Sequence, residues 1–125
     1  MLFRSVLALA ASKNDRKIKL SLFDVSLAAA PELRSSYDLN DYWADFDGNY
    51  AAFAEDKPNR LFFLPSLKGG YIFSYRGGRI ELKKTAGNFS VSRAVFLNGY
   101  LYLVTDEKIE VYGGPDWDKV KSLNL

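Results

Sequence analysis

The clearest pattern of apolar and polar positions lies in the last third of the chain. Four short runs of apolar or β-branched residues are separated there by pairs of turn-forming residues. Asn-Gly between two such runs is the strongest short-range hairpin signal, because both turn residues then adopt positive φ. The pattern predicts a four-stranded antiparallel meander. Its runs are 93–97, 100–104, 109–112 and 119–125, and its turn signals are Asn98-Gly99, Asp106-Glu107 and Gly113-Gly114.

Strand-like runs of similar length occupy the rest of the chain. In 16–26, Ile18, Leu20 and Leu22 alternate with lysine or serine, and this period of two places one face of a strand in a core. No segment keeps the 3.6-residue period of a helix for long. The earlier strands that we expect are 2–11, 16–26, 32–39, 50–54, 60–64, 70–75 and 79–85.

The strand runs of the middle of the chain overlay those of its end. Ala52-Phe53 aligns with Val95-Phe96, 60–64 with 100–104, and 75–78 with 111–114. The spacing falls along this overlay from 43 to 36 residues, which predicts shorter loops in the second copy. A four-strand unit that recurs at about 40–45 residues is typical of propeller blades.

We therefore predict an all-β, β-propeller-like fold with about two and three-quarter four-stranded antiparallel blades. Residues 1–41 would form a partial blade that lacks its innermost strand, 42–87 a blade and 88–125 a further blade, all within one propeller fragment. The second strand of each copy is almost entirely apolar, so stacked blades would bury both of its faces. A fragment of this kind leaves blade faces bare, and we expect it to self-associate or to dock on missing blades.

Four phrases of the sequence resemble an archaeal and bacterial family of secreted proteins with a C-terminal β-propeller distantly related to WD40 repeats. The phrases are 19–26, 69–75, 92–96 and 100–104. The resemblance implies an extracellular or cell-surface location and no settled activity. Family members tend to carry an Asp-His pair near Asn49-Tyr50, which is absent here. Residues 6–11 mimic a short signal peptide, but the following Ser-Lys-Asn-Asp turn favours a strand.

Composition removes several classes of function. The chain has 17 Lys and Arg against 15 Asp and Glu, so the basic surface of a nucleic-acid binder is not expected. It contains no Cys and no His, which argues against thiol nucleophiles, disulfides, histidine triads, zinc and haem. No apolar run reaches the about 18–20 residues of a membrane span. We expect no cofactor.

Two candidate sites lie between 42 and 50. Asp45, Asp47 and Asn49 alternate as the oxygen ligands of a calcium loop do, although a tight turn around Gly48 explains the same residues. The second candidate consists of Tyr42, Trp43 and Tyr50, which are flanked by carboxylates and could bind a sugar. The alternative is that these rings pack between blades.

Glu55-Asp56 and Asp106-Glu107 occupy similar places in the two copies, and we expect both pairs to lie at loop ends. Neighbouring carboxylates in one turn point in different directions, which argues against a glycoside hydrolase. The expected function is that of a non-enzymatic structural or protein-interaction module. The alternative is a carbohydrate-binding surface of a cell-surface protein.

Overall fold

The structure is a computed structural model that describes residues 4–11, 17–42, 52–66 and 68–125. Within these ranges the all-β prediction is confirmed. The described residues form eleven strands in three antiparallel sheets, and their helical backbone is limited to short 3₁₀ turns such as Arg76–Gly78. The chain divides into two compact units. One comprises Met1–Asp45 with Tyr75–Glu81, and the other comprises Phe46–Ser74 with Leu82–Leu125.

The first sheet has three strands: β1 (Ser5–Ala11), β2 (Lys17–Asp24) and β3 (Glu32–Tyr42), in that spatial order. The predicted alternation in β2 is confirmed, because Ile18, Leu20 and Leu22 are buried between exposed or half-buried neighbours. Strand β3 is longer than predicted, since its pairing with β2 continues to Tyr42 opposite Lys17.

The second and third sheets are four-stranded meanders. The second contains β4 (Ala54–Asp56), β5 (Leu61–Pro65), β6 (Gly70–Ser74) and β7 (Glu81–Ala86). The third contains β8 (Arg93–Leu97), β9 (Tyr100–Val104), β10 (Lys108–Gly113) and β11 (Asp118–Asn124). In each sheet, every strand pairs with the strand that follows it in the chain. The hairpin at Asn98-Gly99 is confirmed, with φ of 53° and 82°.

One apolar core joins the second and third sheets. It contains Phe63 and Ile72 of the second sheet and Leu101, Leu103 and Tyr112 of the third, together with smaller residues. Phe63, Ile72, Leu101 and Leu103 have no exposed surface. Because these residues come from one face of each sheet, the two sheets pack face to face.

The two sheets stack in the same direction. Their first strands, β4 and β8, contact each other, and the turns that follow these strands line one groove. At the opposite end, the Gly69 N–H beside the β5–β6 turn donates to the Phe89 carbonyl oxygen over 2.7 Å. Beside the β9–β10 turn, the Lys108 ammonium lies 4.4 Å from the centre of the Phe89 ring. Corresponding turns of the two meanders therefore lie at the same end.

The strand register corrects the predicted overlay of the two meanders. The pairs that close the first turns are Asp56–Leu61 and Leu97–Tyr100, so these pairs correspond. Val95 then corresponds to Ala54 and Tyr102 to Phe63. The predicted equivalence of Phe53 and Phe96 is wrong by two residues, because the first turn is four residues long in one sheet and two in the other. The prediction that both following loops are shorter in the second copy is confirmed for the first turn and wrong for the second, because the pairs Phe63–Ile72 and Tyr102–Val111 have the same spacing along the chain.

The predicted burial of both second strands is correct for one of them. All five residues of β5 are buried, whereas β9 alternates between the buried Leu101 and Leu103 and the exposed or half-buried Tyr100, Tyr102 and Val104. Strand β9 is apolar on both faces, but one of these faces is open to solvent.

Candidate functional site

Most of the predicted site residues lie outside the described part of the chain. These are Trp43, Asp45, Asp47, Asn49 and Tyr50, and of Tyr42 only the backbone is described, at the end of β3. The calcium loop and the carbohydrate surface therefore remain predictions. Among the described residues, no group of three or more His, Cys, Asp or Glu is placed to hold a metal ion. Those residues also include no helix that is long and apolar enough to cross a membrane.

The structure separates the two carboxylate pairs. Glu55 and Asp56 are the last two residues of β4, where the strand enters the turn 57–60, which agrees with their predicted place at a loop end. Asp56 accepts a hydrogen bond of 2.8 Å from the Asn59 side chain and closes the following turn. Consecutive strand residues point to opposite faces, so Glu55 and Asp56 do not converge. Asp106 and Glu107 do lie in a turn, as predicted.

A groove of about 510 Å³ lies between the first turns of the second and third sheets. Its walls combine acidic, basic, amide and apolar residues. The groove is open, and its best-defined carboxylate, Asp56, is turned toward Asn59 of its own turn. The polar groups that line the groove do not converge on a common position where they could bind one ligand atom. The lining residues are Glu55, Asp56, Lys57, Pro58, Asn59, Phe96, Leu97, Asn98 and Gly99.

The strongest feature of the described residues is an open sheet surface made of large apolar side chains. Cross-strand pairing places Val95 beside Tyr102 and Tyr102 beside Val111 on this side of the third sheet. Leu97 is 56% exposed and Tyr100 is 41% exposed. We call this surface the outer face, defined by Val95, Leu97, Tyr100, Tyr102, Val104, Ile109 and Leu123.

In the second sheet, the corresponding face is covered by the third sheet. Phe63 and Ile72 correspond to Tyr102 and Val111, and both are fully buried against the third sheet. Leu61, which corresponds to Tyr100, is 8% exposed. This face of the meander is therefore covered in the second sheet, whereas in the third it is open at β8 and at Tyr100 of β9 but buried at Val111 of β10.

Tyr100 lies flat over Gly113 on the outer face. A Cβ atom added to Gly113 would come within 2.4 Å of the Tyr100 ring, so the missing side chain leaves the space that the ring occupies. Aromatic rings that cover a strand glycine are a recognised way to stabilise a sheet. The surface at this corner is consequently flat and aromatic.

A buried charge cluster lies on the other side of the third sheet. Glu110 is 4% exposed and accepts a hydrogen bond of 2.7 Å from the Tyr112 hydroxyl. The ammonium groups of Lys119 and Lys108 lie 3.4 and 3.5 Å from its second carboxylate oxygen. The Gly87 N–H donates to the Tyr112 hydroxyl, which ties the β7–β8 connection to this cluster.

The pKa values follow from this geometry. Burial by itself would raise the pKa of Glu110, but the hydrogen bond from Tyr112 and the charges of Lys119 and Lys108 outweigh it, so the pKa lies below its ordinary value. Burial, and then the hydrogen bond to Glu110, raises the pKa of Tyr112 well above its ordinary value. The cluster is a stable ion pair at neutral pH, with Glu110 charged and Tyr112 protonated.

Sequence reasoning missed the Glu110 cluster, although a signal was present. Glu110 stands between Ile109 and Val111 in a strand, and Tyr112 follows two residues later on the same face. A carboxylate between two apolar strand residues indicates a buried polar pair, and its positive charges come from Lys108 of the same strand and Lys119 of β11.

Two archaeal proteins match this sequence. An uncharacterised protein of Archaeoglobus fulgidus is 38% identical over 117 residues, which cover 94% of this chain and 19% of that protein. An uncharacterised protein of Methanocaldococcus jannaschii is 32% identical over 113 residues, which cover 90% of this chain and 18% of that protein. The chain thus spans about a fifth of the length of these relatives. No family model matches the sequence.

Proposed function

We propose that this chain is a β-propeller-type structural module that binds protein through the outer face of its third sheet. The proposal rests on a difference in exposure between corresponding positions of the second and third sheets. Phe63 and Ile72 are buried beneath a neighbouring sheet, while Leu97, Tyr100 and Val95 at corresponding strands are more than 40% exposed. The module acts without catalysis, as a surface that a further sheet covers.

The stacking of the two meanders supports the propeller-type arrangement. Propeller blades are four-stranded meanders that repeat about every 40 residues and pack face on face. Here Val95 follows Ala54 by 41 residues and Tyr102 follows Phe63 by 39. The contact between β4 and β8 and the alignment of corresponding turns are what a blade-to-blade repeat requires.

The partner that this face fits is a further β-sheet with an apolar side. A four-stranded sheet of about six residues per strand presents a face of roughly 400 Å². Covering it is worth on the order of 5–10 kcal/mol of apolar transfer free energy, as an upper estimate. The archaeal relatives are about five times longer than this chain, so additional sheets of the same kind fit the available length. The extracellular or cell-surface location implied by the resemblance belongs to the same proposal.

The test compares two leucines of nearly equal exposure. Leu97 on the outer face is 56% exposed, and Leu33 on the first sheet is 58% exposed. We expect the wild-type chain to associate as its concentration rises in multi-angle light scattering. Leu97→Lys should weaken this association by about tenfold or more, since a buried charge at an interface costs at least 1.4 kcal/mol. Leu33→Lys should leave it unchanged.

A second measurement tests whether the outer face is exposed apolar surface, independently of whether the chain associates. A dye that fluoresces on exposed apolar surface should bind the wild-type chain and lose signal with Leu97→Lys but not with Leu33→Lys. A wild-type chain that stays monomeric at tens of micromolar and binds no dye contradicts the proposal. Equal effects of the two variants also contradict it, because the outer face would then have no special role.

A further inference from the structure

Asn98 and Gly99 form the two-residue turn between β8 and β9. Both residues are exposed, and their φ values of 53° and 82° are those of the tight turn that closes the Leu97–Tyr100 pair. A Cβ atom added to Gly99 would meet nothing within 4 Å. The turn therefore projects into open space, where solvent reaches both the Asn98 side chain and the Gly99 backbone.

The backbone nitrogen of Gly99 is free to react with the Asn98 side chain. Among the described residues, no oxygen accepts a hydrogen bond from the Gly99 N–H. Glycine has no side chain that would hinder the approach of its nitrogen to the preceding amide carbon, and its backbone rotates more freely than that of any other residue. This pair is also the only Asn-Gly sequence in the chain.

Asn59 is equally exposed in a turn of the second sheet, but its surroundings differ. The N–H that follows it, that of Arg60, donates to the Lys57 carbonyl oxygen over 3.2 Å. The Asn59 side-chain amide donates to the Asp56 carboxylate over 2.8 Å. Both groups that would have to react are therefore held by hydrogen bonds at Asn59, whereas the corresponding nitrogen at Asn98 is not.

We propose that Asn98 is a site of spontaneous deamidation in this chain. The Gly99 nitrogen bonds to the side-chain carbonyl carbon of Asn98, and the bond from that carbon to the amide nitrogen breaks. The amide nitrogen leaves as ammonia, with the proton that the Gly99 nitrogen loses. A five-membered succinimide ring then joins the two residues. The two reacting groups belong to neighbouring residues, so their proximity is provided by the chain itself.

Solvent water opens the succinimide ring at either of its two carbonyl carbons. When the bond between the Gly99 nitrogen and the side-chain carbon breaks, an aspartate remains in the original backbone. When the bond between the Gly99 nitrogen and the main-chain carbonyl carbon breaks, the product is an isoaspartate, whose backbone continues through the former side chain. In both products the amide has become a carboxylate, so the chain gains one negative charge and one mass unit.

The two products affect the turn differently. Aspartate followed by glycine suits the same two-residue turn as asparagine, so the hairpin is kept. Isoaspartate adds one carbon to the backbone of this turn, and the pairing of Leu97 with Tyr100 is disturbed because turn length fixes the register of a hairpin. The new charge of either product lies in the groove that Glu55 and Asp56 also line, where like charges repel each other.

This modification is independent of the proposed function. It takes place within one turn and requires no partner on the outer face. A chain that stays monomeric would still be modified at Asn98, and an unmodified chain would still associate through Leu97. Each of the two proposals can therefore fail while the other holds.

Mass spectrometry of the folded chain during incubation at mildly alkaline pH tests the proposal. Alkaline pH accelerates the reaction, because the attacking nitrogen must lose its proton. Digestion with pepsin at acidic pH then locates the added mass unit, and an isoaspartyl methyltransferase labels the isoaspartate. We expect conversion at Asn98 to be at least about tenfold faster than at Asn59, since the hydrogen bond to a carboxylate that holds Asn59 must first break.

Two variants serve as controls. Asn98→Gly keeps a pair of residues that suits the turn but removes the amide, so the turn should show no gain in mass. Asn98→Asp introduces the charge without changing the backbone. It should unfold close to the wild-type temperature, whereas the isoaspartate form, purified by ion exchange, should unfold at a lower temperature.

The proposal is overturned if Asn98 of the folded chain shows no conversion over a period in which the chain unfolded in guanidinium chloride is fully converted. It is also overturned if Asn59 is converted as fast as Asn98, since the free Gly99 nitrogen would then give no advantage. Equal unfolding temperatures of the isoaspartate form and Asn98→Asp would overturn the inferred effect on the hairpin.

Discussion

The second and third sheets show the same face of one meander in two environments. In the second sheet, Phe63 and Ile72 are buried without exposed surface. In the third sheet, the corresponding positions are the half-buried Tyr102 and the 8% exposed Val111, and the neighbouring Tyr100 is 41% exposed. The backbone arrangement is the same, so the difference comes from the neighbour that covers one face and not the other.

This difference shows what keeps the two meanders together. The large side chains of the covered face are those of Phe63, Ile72 and Leu61, whereas the outer face uses tyrosines, whose hydroxyl groups tolerate water. Tyrosine is common where one side of a ring is buried and the other is wet. The tyrosine hydroxyl groups keep the outer face compatible with water in the absence of the partner that we propose.

The largest effect that separates the two faces should come from matched aromatic truncations. Phe63→Ala should lower the free energy of unfolding by about 3–5 kcal/mol, because it removes a fully buried ring from a packed core. Tyr102→Ala should cost much less, about 1 kcal/mol, since its ring is only half-buried. Urea unfolding followed by circular dichroism measures both values at a concentration that is low enough to limit association.

Similar losses in the two variants would remove the distinction between the faces. That result would mean that the outer face is packed in solution, through a partner copy or through another part of the chain. Repeating the Tyr102→Ala measurement at several concentrations identifies a partner copy, because only then does its effect increase with concentration.

The sequence was sufficient to predict the meanders but not which of their faces is covered. Hairpin signals such as Asn98-Gly99 are local, so the strand order of the third sheet followed from short-range pattern. In β9, large hydrophobic residues occupy both faces, with Tyr100, Tyr102 and Val104 on one and Leu101 and Leu103 on the other, so the apolar pattern did not separate the open face from the buried one. Only tertiary packing makes that separation.

The equivalence of the two meanders was misplaced for a related reason. Matching Phe53 with Phe96 aligned two aromatic rings, whereas the backbone register aligns Phe53 with Ala94. The sequence indicated a shorter turn in the second copy, but the exact turn lengths, four and two residues, follow only from the paired residues. The Glu110 cluster depends on Lys119 and Tyr112 from paired strands, and its assembly requires the same register.

An intermediate effect should come from the charge cluster on the covered side of the third sheet. Glu110→Gln keeps the shape of the side chain but removes the charge that Lys108 and Lys119 face. We expect a loss of about 1.5–3 kcal/mol in the free energy of unfolding at pH 7, the usual contribution of hydrogen bonds to a charged group. Chemical denaturation of both proteins at a series of pH values measures the loss.

The lowered pKa of Glu110 determines how the stability difference between the wild type and Glu110→Gln changes with pH. The pKa of Glu110 is lowered on folding, so its stabilisation is fully present above the unfolded glutamate pKa, about 4.3, and is lost as the pH falls through the folded value. The difference between the wild type and Glu110→Gln should therefore shrink on acidification. Glu107→Gln, in the exposed β9–β10 turn, should show no such difference, and a constant gap for Glu110→Gln would exclude the charge as its cause.

The smallest effect should come from Gly113→Ala on the outer face. An added Cβ would meet the Tyr100 ring at 2.4 Å, but this ring is partly exposed and can turn away from the sheet. We expect a change of less than about 1 kcal/mol in the free energy of unfolding, together with a rearranged Tyr100. The same substitution at Gly69 meets the Ala86 carbonyl oxygen at 2.1 Å and has a backbone φ of +69°, so it should cost at least about 2 kcal/mol. If Gly113→Ala were as costly as Gly69→Ala, Tyr100 would have to be held in place, and the outer face would be a covered surface like that of the second sheet.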